Sequence, residues 1–68
     1  MTREEMIQWC MDNKFIFTSG KQPNKEEAKK IFWMANEVDN TQTHRMSSCG
    51  RCWSNALRAI KRKLKIFN

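Results

Sequence analysis

From Trp53 to Leu64, every large apolar residue falls on one side of a helix. Projected at about 100° per residue, Trp53, Ala56, Leu57, Ile60, Leu64 and Phe67 gather into a narrow stripe. Arg51, Arg58, Lys61, Arg62 and Lys65 project to the other side, within an arc of roughly 100°. A segment patterned in this way must bury the stripe against another element and leave the cations outside. No acid follows in this part of the chain, so the cations are not members of ordinary intrahelical ion pairs.

A partner for that stripe exists upstream. Asn24 followed by Glu27 has the form of a capping box, in which side chain and backbone exchange hydrogen bonds at a helix start. The helix it opens should run to about Val38, with Ala28, Ile31, Phe32, Ala35 and Val38 on its packing face. Trp33 projects away from that face, among Glu26, Lys30 and Glu37. It lies flat over charged side-chain stems or serves as an interface anchor of the kind for which Trp is enriched. A second capping box, Thr2 to Glu5, predicts a helix over about 3–13, with Met6, Ile7, Trp9 and Cys10 on one side and Cys10 pointing inward.

Residues 14–23 read as an irregular loop. Phe15 and Phe17 are expected to peg it to the core, Gly20 can take positive φ, and Pro23 blocks helix continuation. Residues 39–48 are polar and unperiodic, and Ser47 or Ser48 can cap the helix that follows. The expected fold is all-α: one compact three-helix domain, 1–68, with helices at about 3–13, 24–38 and 49–65 in an open, angled packing.

With 68 residues, one small core is all the chain can build, and chains this short often lean on a metal, a disulfide or a partner. Three short elements also offer little second layer in which to desolvate catalytic groups, so an enzyme is not expected. The longest apolar run, Ile31 to Ala35, is far below the roughly 18 residues of a membrane span. No apolar stretch follows Met1-Thr2-Arg3-Glu4-Glu5, which predicts an unexported, cytoplasmic protein. Adsorption of the basic helix to an anionic membrane fails if Trp53, Ile60 and Leu64 are in the core.

The segment His44-Arg45-Met46-Ser47-Ser48-Cys49-Gly50-Arg51-Cys52 concentrates the chemistry. Cys49 and Cys52 have the spacing with which two thiolates grip one tetrahedral ion, and Gly50 suits the tight turn of a zinc knuckle. Cys10 and His44 would complete a four-ligand set for a single structural zinc. Two other readings stand beside it. The thiols can be plain core residues, Cys49 packing beneath Trp53, or a helix start beside Arg51 can favour a reactive thiolate. The usual strand setting of C-x-x-C oxidoreductases is missing from the pattern, and three cysteines in a reducing compartment would not form a disulfide framework. His44 by itself reads as a solvated loop residue.

Ser47-Ser48-Cys49-Gly50-Arg51-Cys52-Trp53, leading into Leu57, Ile60 and Leu64 and preceded by a helix such as 26–38, resembles a group of short, uncharacterised proteins of tailed bacteriophages. These share a Ser-Cys-x-x-Cys followed by a basic helix, and the likeness spans roughly residues 24 to 65. It implies a phage origin and expression in a bacterial cell, and it brings no activity with it.

Charge supplies the functional expectation. The chain carries +6, yet up to Asn40 it has six basic against seven acidic residues, and beyond Asn40 seven basic against none. Lys and Arg on one helix face suit phosphates, so nucleic acid is the expected partner, through Arg51, Arg58, Lys61, Arg62 and Lys65 with Arg45 in the preceding loop. No residue points to base readout, and the ten-residue connection is too long for a helix-turn-helix. The alternative is a protein-docking role on an acidic host or virion protein, using Trp33 and five adaptable methionines. Trp33 on one surface with Arg58 and Arg62 would favour the docking role, and Trp33 on the opposite side would leave the basic face to nucleic acid alone.

Overall fold

Both capping boxes close. Thr2 Oγ1 accepts the Glu5 amide at 3.2 Å while Glu5 Oε1 accepts the Thr2 amide at 2.9 Å. Asn24 and Glu27 repeat the exchange at 2.8 and 3.0 Å. These reciprocal bonds satisfy amides that a helix start leaves without intrahelical partners. The computed structural model of the protein describes residues 1–19, 23–46 and 49–67. Over these residues the fold is all-α, with α1 (Arg3–Asp12), α2 (Phe15–Thr18), α3 (Lys25–Asp39) and α4 (Gly50–Leu64). The sequence-based expectations for Gly20 and for a Ser47 or Ser48 cap lie outside the described residues; the N-cap of α4 is Cys49.

The principal helix pair is α3 with α4. Ile31, Phe32 and Ala35 of α3 meet Ala56, Ile60 and Leu64 of α4 in a single core, joined by Met6 and Cys10 of α1. Phe32 and Trp53 pack as a tilted aromatic pair at 5.6 Å, an arrangement favoured by ring quadrupoles. The Cα radius of gyration, 10.7 Å, is close to the roughly 11 Å of a compact domain of this length. Ile60 and Leu64 are buried and Trp53 half-buried, so the apolar side of α4 is used for folding and is not free for a membrane surface.

Four sequence-based expectations are corrected. First, 14–23 is not wholly irregular: α2 forms within it, and Ile16, 2 % exposed, is the peg where Phe15 is 41 % exposed. A helical turn rotates successive side chains by about 100°, so the middle of three contiguous apolar residues faces inward. Phe17 keeps its assigned role in part, half-buried against Phe67 at 5.0 Å. Second, Met34 is fully buried although it stands off the predicted stripe. The buried arc of α3 therefore widens from Phe32 round to Met34, roughly 160° at 100° per residue, more than a helix resting on one neighbour needs.

Third, α4 spans its expected stretch, but Lys65 is its C-cap and takes the left-handed conformation at φ 56°. The Lys65 and Ile66 amides both return to the Lys61 carbonyl, the latter at 3.1 Å, which closes the helix end and folds Ile66 into the core. Lys65 thus leaves the helical register on which its projected position depended. Fourth, Cys49 is exposed and does not pack beneath Trp53.

Candidate nucleic-acid interface

The connection after α3 is shaped by side chains of α3 itself. Asn40, left-handed at φ 51°, ends the helix, and the Thr41 amide bonds back to the Asn36 carbonyl at 3.0 Å. Asn36 then clasps the backbone of His44: its Nδ2 donates to the His44 carbonyl and its Oδ1 accepts the His44 amide, both at 2.9 Å. The His44 ring turns to Asp39, with Nε2 2.7 Å from Oδ2. His44 is therefore a half-buried, partnered residue and not the solvated loop residue expected from the sequence.

Two shallow depressions flank this segment. One, of about 330 Å³, is lined by His44 and Asp39 on one side and by Asn55, Arg58, Arg62 and Lys63 of α4 on the other. Arg58, Arg62 and Lys63 are all exposed. The acid in this wall, Asp39, is hydrogen-bonded to His44 through Oδ2 and stands against three cations of α4 in the same depression. The second depression, about 540 Å³, is lined among others by Trp33, Asn36, Gln42, His44 and Arg45. Trp33 is 42 % exposed, and Lys30 Nζ stands 6.0 Å from its ring centroid, at the outer limit of a cation–π contact. His44 belongs to both walls. The Trp33 depression and the Arg58/Arg62 depression thus adjoin across one ordered turn of chain.

The expected basic residues do not all converge. Arg58 and Arg62 share the smaller depression, and exposed Arg45 stands across His44 in the larger. Arg51 is exposed in the first turn of α4, Lys61 is half-buried, and Lys65 lies past the helix end. Lys63 was missed because at 100° per residue it projects beyond the edge of the predicted arc; the position of residues 39–44 beside α4 is what makes it part of the wall. Arg3 adds a cation at the carboxy-terminal end of α4, its Nη1 donating to the Lys63 carbonyl at 3.3 Å, where the helix dipole favours positive charge.

The expected zinc ligands are not gathered. Cys10 lies in the core, and burial pushes its thiol up to about 11. His44 Nε2 faces Asp39, and only Cys49 and Cys52 are neighbours, at the start of α4. Among the described residues, no group of three or more His, Cys, Asp or Glu side chains is placed to hold a metal ion. No helix of the described residues is long and apolar enough to cross a membrane. Comparisons with protein-family models, with curated proteins and with solved structures find no match to this chain.

Proposed function

We propose that this protein is a small non-enzymatic nucleic-acid-binding protein that contacts phosphates through the basic side of α4, largely without regard to sequence. The supporting observation is the grouping of exposed Arg58, Arg62 and Lys63 in one depression, three cations to the single acid Asp39. Arg45 extends the positive surface across the turn, and Arg51 and Lys65 flank it along α4. Cations in excess over the local acids gain by releasing condensed counterions from phosphates, which supplies affinity but no base discrimination. The resemblance of 47–53 to phage proteins adds a setting in keeping with this role, the cytoplasm of an infected bacterium.

A second reading, docking on an acidic protein surface, draws on the adjacency of the Trp33 depression to the basic one. An exposed Trp beside arginines is the composition of an interface anchor. Titration with duplex DNA, single-stranded RNA and an acidic polypeptide across a range of salt separates the two. Three to four phosphate contacts give a logarithmic salt slope of about −3 on duplex DNA. Equal or tighter binding of the polypeptide, with a shallower slope on nucleic acid, would establish the docking role in its place.

A further inference from the structure

The start of α4 holds two thiols in unlike settings. Cys49 is the N-cap, exposed, and its Sγ accepts the Cys52 amide at 3.2 Å, occupying the place a Ser or Asp oxygen usually takes. Cys52 is half-buried and packs against the core. The carbonyl of Cys49 accepts the Trp53 amide at 3.1 Å, so the first turn is closed and the two residues are one turn apart. That spacing sets their Cα atoms about 5 Å apart, inside the range a disulfide spans. A Cβ built at Gly50 would meet nothing within 4 Å, so the backbone beside the two cysteines is open.

Cys49 and Cys10 differ in acidity. The Cys52 thiol and amide, with the Arg51 backbone, hold Cys49 below the usual thiol range, whereas burial alone pushes Cys10 up to about 11. Helix-start amides favour the thiolate, which is the nucleophile in sulfur exchange.

We propose that Cys49 and Cys52 are a reversible dithiol–disulfide pair, with Cys49 attacking and Cys52 resolving, that exchanges two electrons with a low-molecular-weight disulfide. The Cys49 thiolate attacks one sulfur of R–S–S–R; the Cys49–S–S–R bond forms, the R–S–S–R bond breaks, and RS⁻ leaves. The Cys52 sulfur, giving up its proton, then attacks the Cys49 sulfur; the intramolecular disulfide forms and a second RS⁻ leaves. The two protons from Cys49 and Cys52 end on the two released thiolates, so the dithiol is oxidised by two electrons and R–S–S–R is reduced to two RSH. Excess RSH reverses both steps. Oxidation replaces the cap made by a polarised sulfur with a covalent clamp over the first turn, beside Arg51. This chemistry is independent of nucleic-acid binding, since neither step uses Arg58, Arg62 or Lys63.

The test exposes the folded protein to oxidised glutathione, traps the remaining thiols with iodoacetamide, and maps the products. The expected protein is lighter by two hydrogens, and its tryptic peptides cut after Arg51 stay joined until reductant is added. Cys10 is alkylated only after unfolding. With Cys52→Ser, glutathione remains on Cys49, and in the reduced wild-type protein iodoacetamide labels Cys49 roughly tenfold faster than Cys52. Persistence of glutathione on Cys49 in the wild-type protein, equal labelling of the two thiols, or a bridge that includes Cys10 would overturn the proposal.

Discussion

Asn36 holds His44 with both ends of its amide, donating to the carbonyl and accepting the backbone N–H at 2.9 Å each. One side chain thereby fixes the turn that separates the two depressions and carries Arg45. Asn36→Ala leaves a part-buried carbonyl and amide without these partners. Each loses about 1 kcal/mol or more, so the variant should be about 2 kcal/mol less stable in urea unfolding, with weaker nucleic-acid binding at low salt. Asn36→Asp keeps the acceptor but faces a carbonyl with a carboxylate, and should be no better than Ala.

Trp33 and Phe32 are neighbours in sequence with opposite exposure, 42 % and 4 %. Phe32→Ala empties a site bounded by Trp53 and the α4 stripe and should cost about 3–5 kcal/mol. Trp33→Ala removes a ring outside the core and its distant Lys30 contact, worth about 0.5 kcal/mol, and should move the unfolding midpoint far less than Phe32→Ala. A loss above about 2 kcal/mol would show that Trp33 supports the core.

The same contrast shows what a sequence can convey. The capping boxes, the α4 stripe, the inward Cys10 and the outward Trp33 depend on residues three or four apart, and were legible because helix geometry fixes such relations locally. Ile16 was hidden because three consecutive apolar residues carry no period that separates a helical turn from an extended peg. Met34 is buried by the way the elements come together, which no single-helix projection contains. The candidate site was half legible. Arg58 and Arg62 follow from the projection, but Lys63 and the Asn36–His44–Asp39 clasp depend on how the connection folds back beside α4.

Cys10 makes stability sensitive to alkali. Its folded-state pKa is raised from 9.0 to about 11, because burial disfavours the thiolate. Between those values the unfolded chain releases a proton that the folded chain retains. The contribution of Cys10 is thus intact below about pH 9 and lost as the pH rises towards about 11. Urea midpoints measured over that window should fall more steeply for the wild-type protein than for Cys10→Ala. The other side chains are common to both proteins, so the difference isolates the thiol.

Charge reversal at two pairs of positions locates the binding surface. Arg58→Glu with Arg62→Glu and Arg51→Glu with Lys65→Glu lower the net charge from +6 by the same amount, and all four residues are exposed. A partner drawn only by overall charge would respond equally to the two. Phosphates seated against the His44 wall should discriminate, because Arg58 and Arg62 line that depression while Arg51 and Lys65 lie towards the two ends of α4. Each lost phosphate contact lowers the magnitude of the logarithmic salt slope by about 1, so the first pair should bring it from about 3 to about 1 and abolish retention on DNA at low salt. The second pair should weaken binding and leave most of the slope. Equal effects of the two pairs would move the contact surface off the depression and onto the whole length of the helix.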